Sequence, residues 1–210
     1  MQIGRPQVSS ILEWARANKR EFSWRRGLSP YRVLVAELLL RRTTASAVER
    51  VFEKFVTKYP DLQALSNADL LSLEEDLSTL GYHKSRSRII KELATEMLSK
   101  YGGIPDSLGS LLSIKQLGLY TAGAILSLGY DRPAPMVDTN VLRILSRLSG
   151  SQIKQGEAYD ILEDLLPQDF KGFNLSMLDF GAIMCRYKDP LCNVCPLKTS
   201  CHYSLKATKA

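Results

Sequence analysis

The 210-residue chain is marked first by what it lacks. No apolar run approaches the roughly 20 residues that a membrane-spanning helix needs, so an α-helical membrane protein is excluded and no membrane partner is expected. The first residues, Met1-Gln2-Ile3-Gly4-Arg5-Pro6, contain no apolar signal region. The expectation is a protein that is not secreted, located in the cytoplasm and associated with the nucleoid if prokaryotic. No stretch alternates apolar and polar residues over any length, which removes the usual signature of strands and leaves an all-α chain. Repeats of solenoid period and low-complexity linkers are absent as well. Acidic residues are outnumbered: 28 Lys and Arg against 22 Asp and Glu give a net charge of +6, a balance that suits a polyanionic partner such as nucleic acid. Cysteine is missing from the first 184 positions and then occurs four times, at Cys185, Cys192, Cys195 and Cys201.

That clustering calls for a reason. In a reducing compartment structural disulfides are disfavoured, and a metal or a cluster is the better reading. The spacing is Cys185-x6-Cys192-x2-Cys195-x5-Cys201. The close pair Cys192 and Cys195 brings two thiolates to one centre from a single turn. Four thiolates suit either tetrahedral zinc or a [4Fe–4S] cluster. Arg186, Lys188 and Lys198 lie within or beside the loop and offer a positive rim to phosphate, or simply a solvated face.

Upstream, helical periodicity predicts helices over 8–17, from Pro30 to Arg42 with Ser29 as N-cap, over 44–59, 67–77, 84–101 and 107–113, and then 141–148, 156–166 and 174–184. Residues 185–203 read as loop and 206–210 as a solvated tail. The stretch from Leu117 to Asp138 is the most suggestive. Gly118 permits a tight turn, and a small-residue helix follows whose leading N–H groups favour an anion. Pro133 and Pro135 end it, and Asp138 stands at the start of the next helix. This reading places a phosphate-holding turn and a carboxylate at opposite ends of one rigid helix.

Asp138 as an N-cap is expected to stay ionised, because helix N–H groups favour its charge. Glu37 lies inside the apolar run from Val33 to Leu40, where desolvation disfavours the charged carboxylate and favours a protonated acid. Two carboxylates in unlike environments can divide the roles of proton donor and charged partner. Each also has an ordinary structural reading, as a helix cap and as a solvent-facing glutamate.

The 6-2-5 cysteine spacing resembles the iron–sulfur loop of the endonuclease III family of DNA glycosylases. The turn Gln116-Leu117-Gly118 and the Pro-rich approach to Asp138 resemble the helix–hairpin–helix and Gly/Pro/Asp motif of that superfamily. The resemblance runs from about Phe22 to Cys201. It implies a [4Fe–4S] cluster on Cys185, Cys192, Cys195 and Cys201, and a monomeric enzyme acting on double-stranded DNA with a damaged or mismatched base. The implied architecture is two helical domains with the DNA-binding cleft between them. One is a six-helix barrel over 28–133 with the hairpin at about 107–128. The other is formed by 1–27 with 134–210 and carries the cluster loop at 185–201.

The resemblance also implies residue roles. Glu37 matches the catalytic glutamate of adenine- and thymine-mismatch glycosylases, and Asp138 the aspartate that stabilises the sugar cation. Tyr120 stands where bifunctional members carry the Schiff-base lysine. A phenol cannot form an imine, so a monofunctional enzyme that leaves an abasic site is expected. Arg42 and Tyr82 match positions that insert into the duplex as the target base leaves the stack. Arg41, Lys84, Lys115 and Gly118 are expected at the DNA backbone, and Asn140 beside Asp138 or as an ordinary helix-start residue. One departure stands out: Lys115 and Gln116 occupy positions where the family hairpin has Pro and its first Gly, and the charge of Lys115 is expected to offset a less close backbone approach. The run from Glu37 to Ala45, with Arg41 and Arg42, resembles the thymine-mismatch members, whereas adenine-specific members carry glutamines there. The expected substrate is thymine or uracil opposite guanine. The alternatives are adenine opposite guanine or oxidised guanine, and a non-catalytic DNA-binding module.

Overall fold

The computed structural model describes residues 3–207. It is helical, with no strand among the described residues. The chain forms two compact units, Glu21–Arg132 and the pairing of Met1–Arg20 with Pro133–Ala210. The seam at residue 20 falls earlier than the expected boundary at 27. Trp24 explains the difference: it stacks on Phe22 at 4.4 Å and meets Phe52 at 6.1 Å, inside the first of these units.

Helix α1 (Arg5–Asn18) opens the chain with Pro6 in its first turn and buries Val8, Ile11 and Ala15. The 21–132 unit follows. Its central helix α2 (Pro30–Leu40) starts where Ser29 accepts from the Arg32 N–H at 3.2 Å. Most of α2 is buried, with Val33 to Ala36, Leu38 and Leu39 in the core.

The expected single helix over 44–59 is two helices, α3 (Ala45–Glu49) and α4 (Phe52–Lys58). A tight Val51 N–H to Val48 carbonyl bond breaks the run and turns Phe52 into the core, fully buried. Helix α5 (Leu62–Asn67), capped by Asp61, was not anticipated. The next helix, α6 (Leu70–Asp76), begins later than expected because Asp69 is its cap rather than a first-turn residue. Then come α7 (His83–Tyr101), α8 (Leu108–Leu112) and α9 (Leu119–Ala124). The last runs into a π-helical turn over Ile125–Gly129. Helix α2 packs against this turn and against α4, α7 and α9.

In the other unit, α10 (Thr139–Ser149) buries Val141, Ile144, Leu145 and Leu148, one stripe at helical spacing. It packs on α12 (Phe170–Ile183); α11 (Gln155–Glu163) connects them. Helix α1 also lies on α12, with Trp14 edge-on to Phe180 at 5.0 Å. Arg20 pairs with fully buried Asp179 at 2.6 Å. Residues 185–203 are not all loop. They contain two single 3₁₀ turns, and α13 (His202–Ala207) starts inside the segment and continues into the expected tail. Positions 208–210 of that tail lie outside the described residues.

Candidate active site and thiol loop

Helix α2 turns Glu37 away from the core, so the carboxylate is half-buried between fully buried neighbours. Tyr120, the second residue of α9, donates its phenol hydrogen to Glu37 Oε1 at 3.2 Å. Arg41 lies one turn beyond Glu37. Burial lowers the pKa of its guanidinium, and the Glu37 charge acts to raise it. Arg41 Nη2 donates to the Gln116 carbonyl at 2.6 Å, joining the end of α2 to the hairpin turn.

The turn precedes a small-residue helix, as the sequence suggests. The left-handed residue is Gln116, with φ of 86°. Gly118 is extended, at φ −103°, and serves as N-cap of α9 with no side-chain cap. A Cβ at Gly118 would meet nothing within 4 Å, so nothing within the chain requires glycine there. The proposed single rigid helix with the turn and the carboxylate at its two ends is also not observed. Helical structure stops at Gly129, before the prolines, and Asp138 caps the separate helix α10. Lys115 is exposed on the hairpin turn.

Arg42 and Tyr82 meet although forty positions apart. The Arg42 guanidinium stands 5.6 Å from the Tyr82 ring centroid. Both are left-handed, with φ of 52° and 60°, and the Tyr82 ring is 65% exposed. Lys84 is exposed in the first turn of α7. Arg41, Arg42, Tyr82 and Gln116 share the rim of a cavity of about 480 Å³.

The other unit holds Asp138. Its Oδ1 accepts from the backbone N–H groups of Asn140 and Val141, both at 2.8 Å, and its Oδ2 accepts from the Asn140 amide at 2.7 Å. Asn140 Oδ1 accepts from Arg143 at 2.7 Å, and Arg143 also reaches the carbonyls of Gly181 and Cys185. A Cβ on Gly181 would lie 2.5 Å from the Asn140 Cβ, so this glycine makes room for Asn140. The extended approach to Asp138 is held by buried Asn174, which donates to the Ala134 carbonyl at 2.8 Å and accepts from the Met136 N–H at 3.1 Å. Gln155 donates to the Val137 carbonyl at 2.8 Å. The sequence reading assigned no role to Asn174, Gln155 or Arg143. An amide on a buried helical face was the one available signal.

Cys185, Cys192, Cys195 and Cys201 are free and half-buried, and all four line one pocket with Met184, Pro190 and Leu191. Burial, reinforced by the charges of the other cysteines, raises the Cys192 thiol and pushes Cys195 up to about 11. Among the described residues no three His, Cys, Asp or Glu side chains form a group that could hold one metal ion. Four thiols lining one pocket beside Arg147 and Tyr203 are a donor set of the kind a thiolate-bound group uses. Arg147 ties the loop to α10. It donates to Cys185 Sγ at 3.5 Å and to the Arg186 and Tyr187 carbonyls, and it lies over the Tyr203 ring at 4.5 Å. Arg186 and Lys198 bond to loop carbonyls of Asp189 and Asn193.

The family described as HhH-GPD superfamily base excision DNA repair protein matches residues 35–168. The chain belongs to the HhH-GPD superfamily. This HhH-GPD chain is 32% identical over 208 residues to the thymine/uracil-DNA glycosylase of Methanothermobacter thermautotrophicus, covering 96% of the chain and 94% of that relative. It is also 32% identical over 200 residues to an adenine DNA glycosylase of Buchnera aphidicola, where it covers 57% of the relative. Its fold matches that of a thermostable thymine-DNA glycosylase with a TM-score of 0.91, at 32% identity over 96% of both chains.

Proposed function

We propose that this DNA glycosylase is monofunctional and hydrolyses the N-glycosidic bond of thymine or uracil mispaired with guanine. The observation that carries this reading is the Glu37–Tyr120 pair, an acid held by a phenol at 3.2 Å. Glu37 donates a proton to the departing base. Tyr120 donates to Oε1, which suits an acid with its proton on the other oxygen. Asp138, fixed by three N–H donors, stabilises the positive charge that grows on the sugar. Water completes the reaction, and the phenol supplies no amine for strand cleavage. Arg42 and Tyr82 enter the duplex as the base leaves it. Arg41, Lys84, Lys115 and the exposed Gly118 turn meet the backbone, and Asn140 orients Asp138. The chain acts as a monomer.

The choice of base rests on the arginines at 41 and 42 and on the names of the similar thymine/uracil enzymes. A second reading, adenine excision, is favoured by the similarity to adenine glycosylases. Double-stranded oligonucleotides carrying T·G, U·G, A·G and A·oxidised-G pairs separate the two. Rapid excision from T·G and U·G, with strand breaks only after alkali, is the expected result. Excision confined to A-containing pairs overturns the assignment, and breaks without alkali overturn the monofunctional reading.

Cys185, Cys192, Cys195 and Cys201 hold a [4Fe–4S] cluster in this proposal. When bound, the group supplies iron–thiolate bonds that close the loop, and Arg147 stands as a hydrogen-bond donor to the Cys185 sulfur.

A further inference from the structure

The last carbonyls of a helix have no intrahelical partner. At the end of α2, two of its carbonyls and that of its C-cap Arg41 are claimed by one side chain from α7. Arg86 is buried, only 6% exposed. Its Nη1 donates to Leu38 O at 2.5 Å and Leu39 O at 3.0 Å, and its Nη2 to Arg41 O at 2.6 Å. The same Nη2 reaches across to Gly81 O at 3.0 Å. The residues that follow the last two acceptors are Arg42 and Tyr82. Both hold left-handed backbones at φ 52° and 60°, a conformation that persists in non-glycine residues only when the surroundings over-determine it. One rigid, permanently charged fork therefore joins the two turns immediately before the stacked pair.

We propose that Arg86 is a positioning residue for base extrusion. It sets the separation of the Arg42 and Tyr82 turns, so that the two side chains enter the duplex as a single wedge. Arg86 acts through the two turns, its guanidinium being spent on their carbonyls. The inference rests on the proposed roles of Arg42 and Tyr82. Lysine does not replace it, because a compact ammonium cannot span four carbonyls in two turns.

The test uses the full chain with R86K, alone and in an R42A/Y82A background. Single-turnover excision is measured on a T·G duplex and on the same strand with the target thymine unpaired in a short bubble. The fluorescence of a 2-aminopurine beside the target reports extrusion without depending on which base is excised. R86K is expected to slow both excision and the fluorescence rise on the duplex by about tenfold or more, while bubble excision stays within about twofold. In the R42A/Y82A background the substitution should add nothing further. An equal loss on the bubble, or an undiminished loss in that background, overturns the proposal and leaves Arg86 an ordinary helix cap. If R86K loses its helical circular dichroism, Arg86→Gln is read by the same two ratios. An R42A/Y82A protein that extrudes as fast as wild type removes the wedge reading itself, and the inference falls with it.

Discussion

The Tyr120 phenol donates to Glu37 Oε1 across 83 positions of sequence. A hydrogen bond of this kind contributes about 0.5–1.5 kcal/mol net. Tyr120→Phe should therefore slow T·G excision by about 2- to 13-fold, as read by single-turnover kinetics.

Glu37→Gln keeps the shape of the side chain and removes the transferable proton. Excision should fall by about 10²- to 10⁴-fold. Affinity for a T·G duplex, followed by fluorescence anisotropy, should hold within about twofold. Retained excision would remove Glu37 from the chemistry.

Asp138 combines two roles that substitution can separate. Asparagine caps helices about as well as aspartate, whereas alanine forfeits about 0.5–2 kcal/mol. Asp138→Asn should melt near the wild-type temperature and Asp138→Ala below it, while both lose excision. If the two variants melt alike, the three N–H contacts do not stabilise α10 as described.

The thiol loop makes a prediction about composition. Protein purified without oxygen should contain ~4 iron and ~4 sulfide per chain with broad visible absorption. Removing the metal should lower the melting temperature, and the carboxyl-terminal segment should become the first protease-sensitive site. A preparation carrying stoichiometric zinc and no sulfide would contradict the cluster assignment.

Acid stability should respond to Asp76. Burial opposes its charge, but hydrogen bonds from Lys58 at 2.6 Å and Tyr59 at 2.8 Å outweigh that and leave its pKa below the ordinary 3.8. A carboxyl whose folded pKa is depressed stabilises the fold above its unfolded value and loses that contribution as pH falls through the folded one. Wild type should therefore exceed Asp76→Asn in melting temperature near neutral pH. The gap should close only below pH 3.8.

Short-range patterns made part of this legible from sequence. Ser29-Pro30 marked the start of α2, Asp138 the start of α10, and the cysteine spacing the thiol loop. Each signal lies within a few residues of its consequence. The apolar run around Glu37 singled out that acid, and resemblance added Tyr120, which periodicity alone could not pair with it. The break at Arg50–Val51 stayed hidden because residues 44–59 keep helical spacing on both sides of it. Arg86 and Asn174 stayed hidden for a deeper reason. Their partners are backbone carbonyls and one N–H, 38 to 48 positions away except for Gly81, and a main-chain group carries no residue identity to read. Gly118 marked the start of α9, but the left-handed position at Gln116 carried no glycine to mark it.

Gly129 closes the π-helical turn against the first residue of α2. A Cβ there would lie 2.7 Å from the Pro30 Cα, rigid backbone that cannot swing aside. A single methyl group at 129 would lever the whole of α2, and with it the carboxyl seven residues on from Pro30. The acid's registry is thus decided at a position with no functional group of its own, where a substitution would look like lost chemistry while every reacting side chain remained in the sequence.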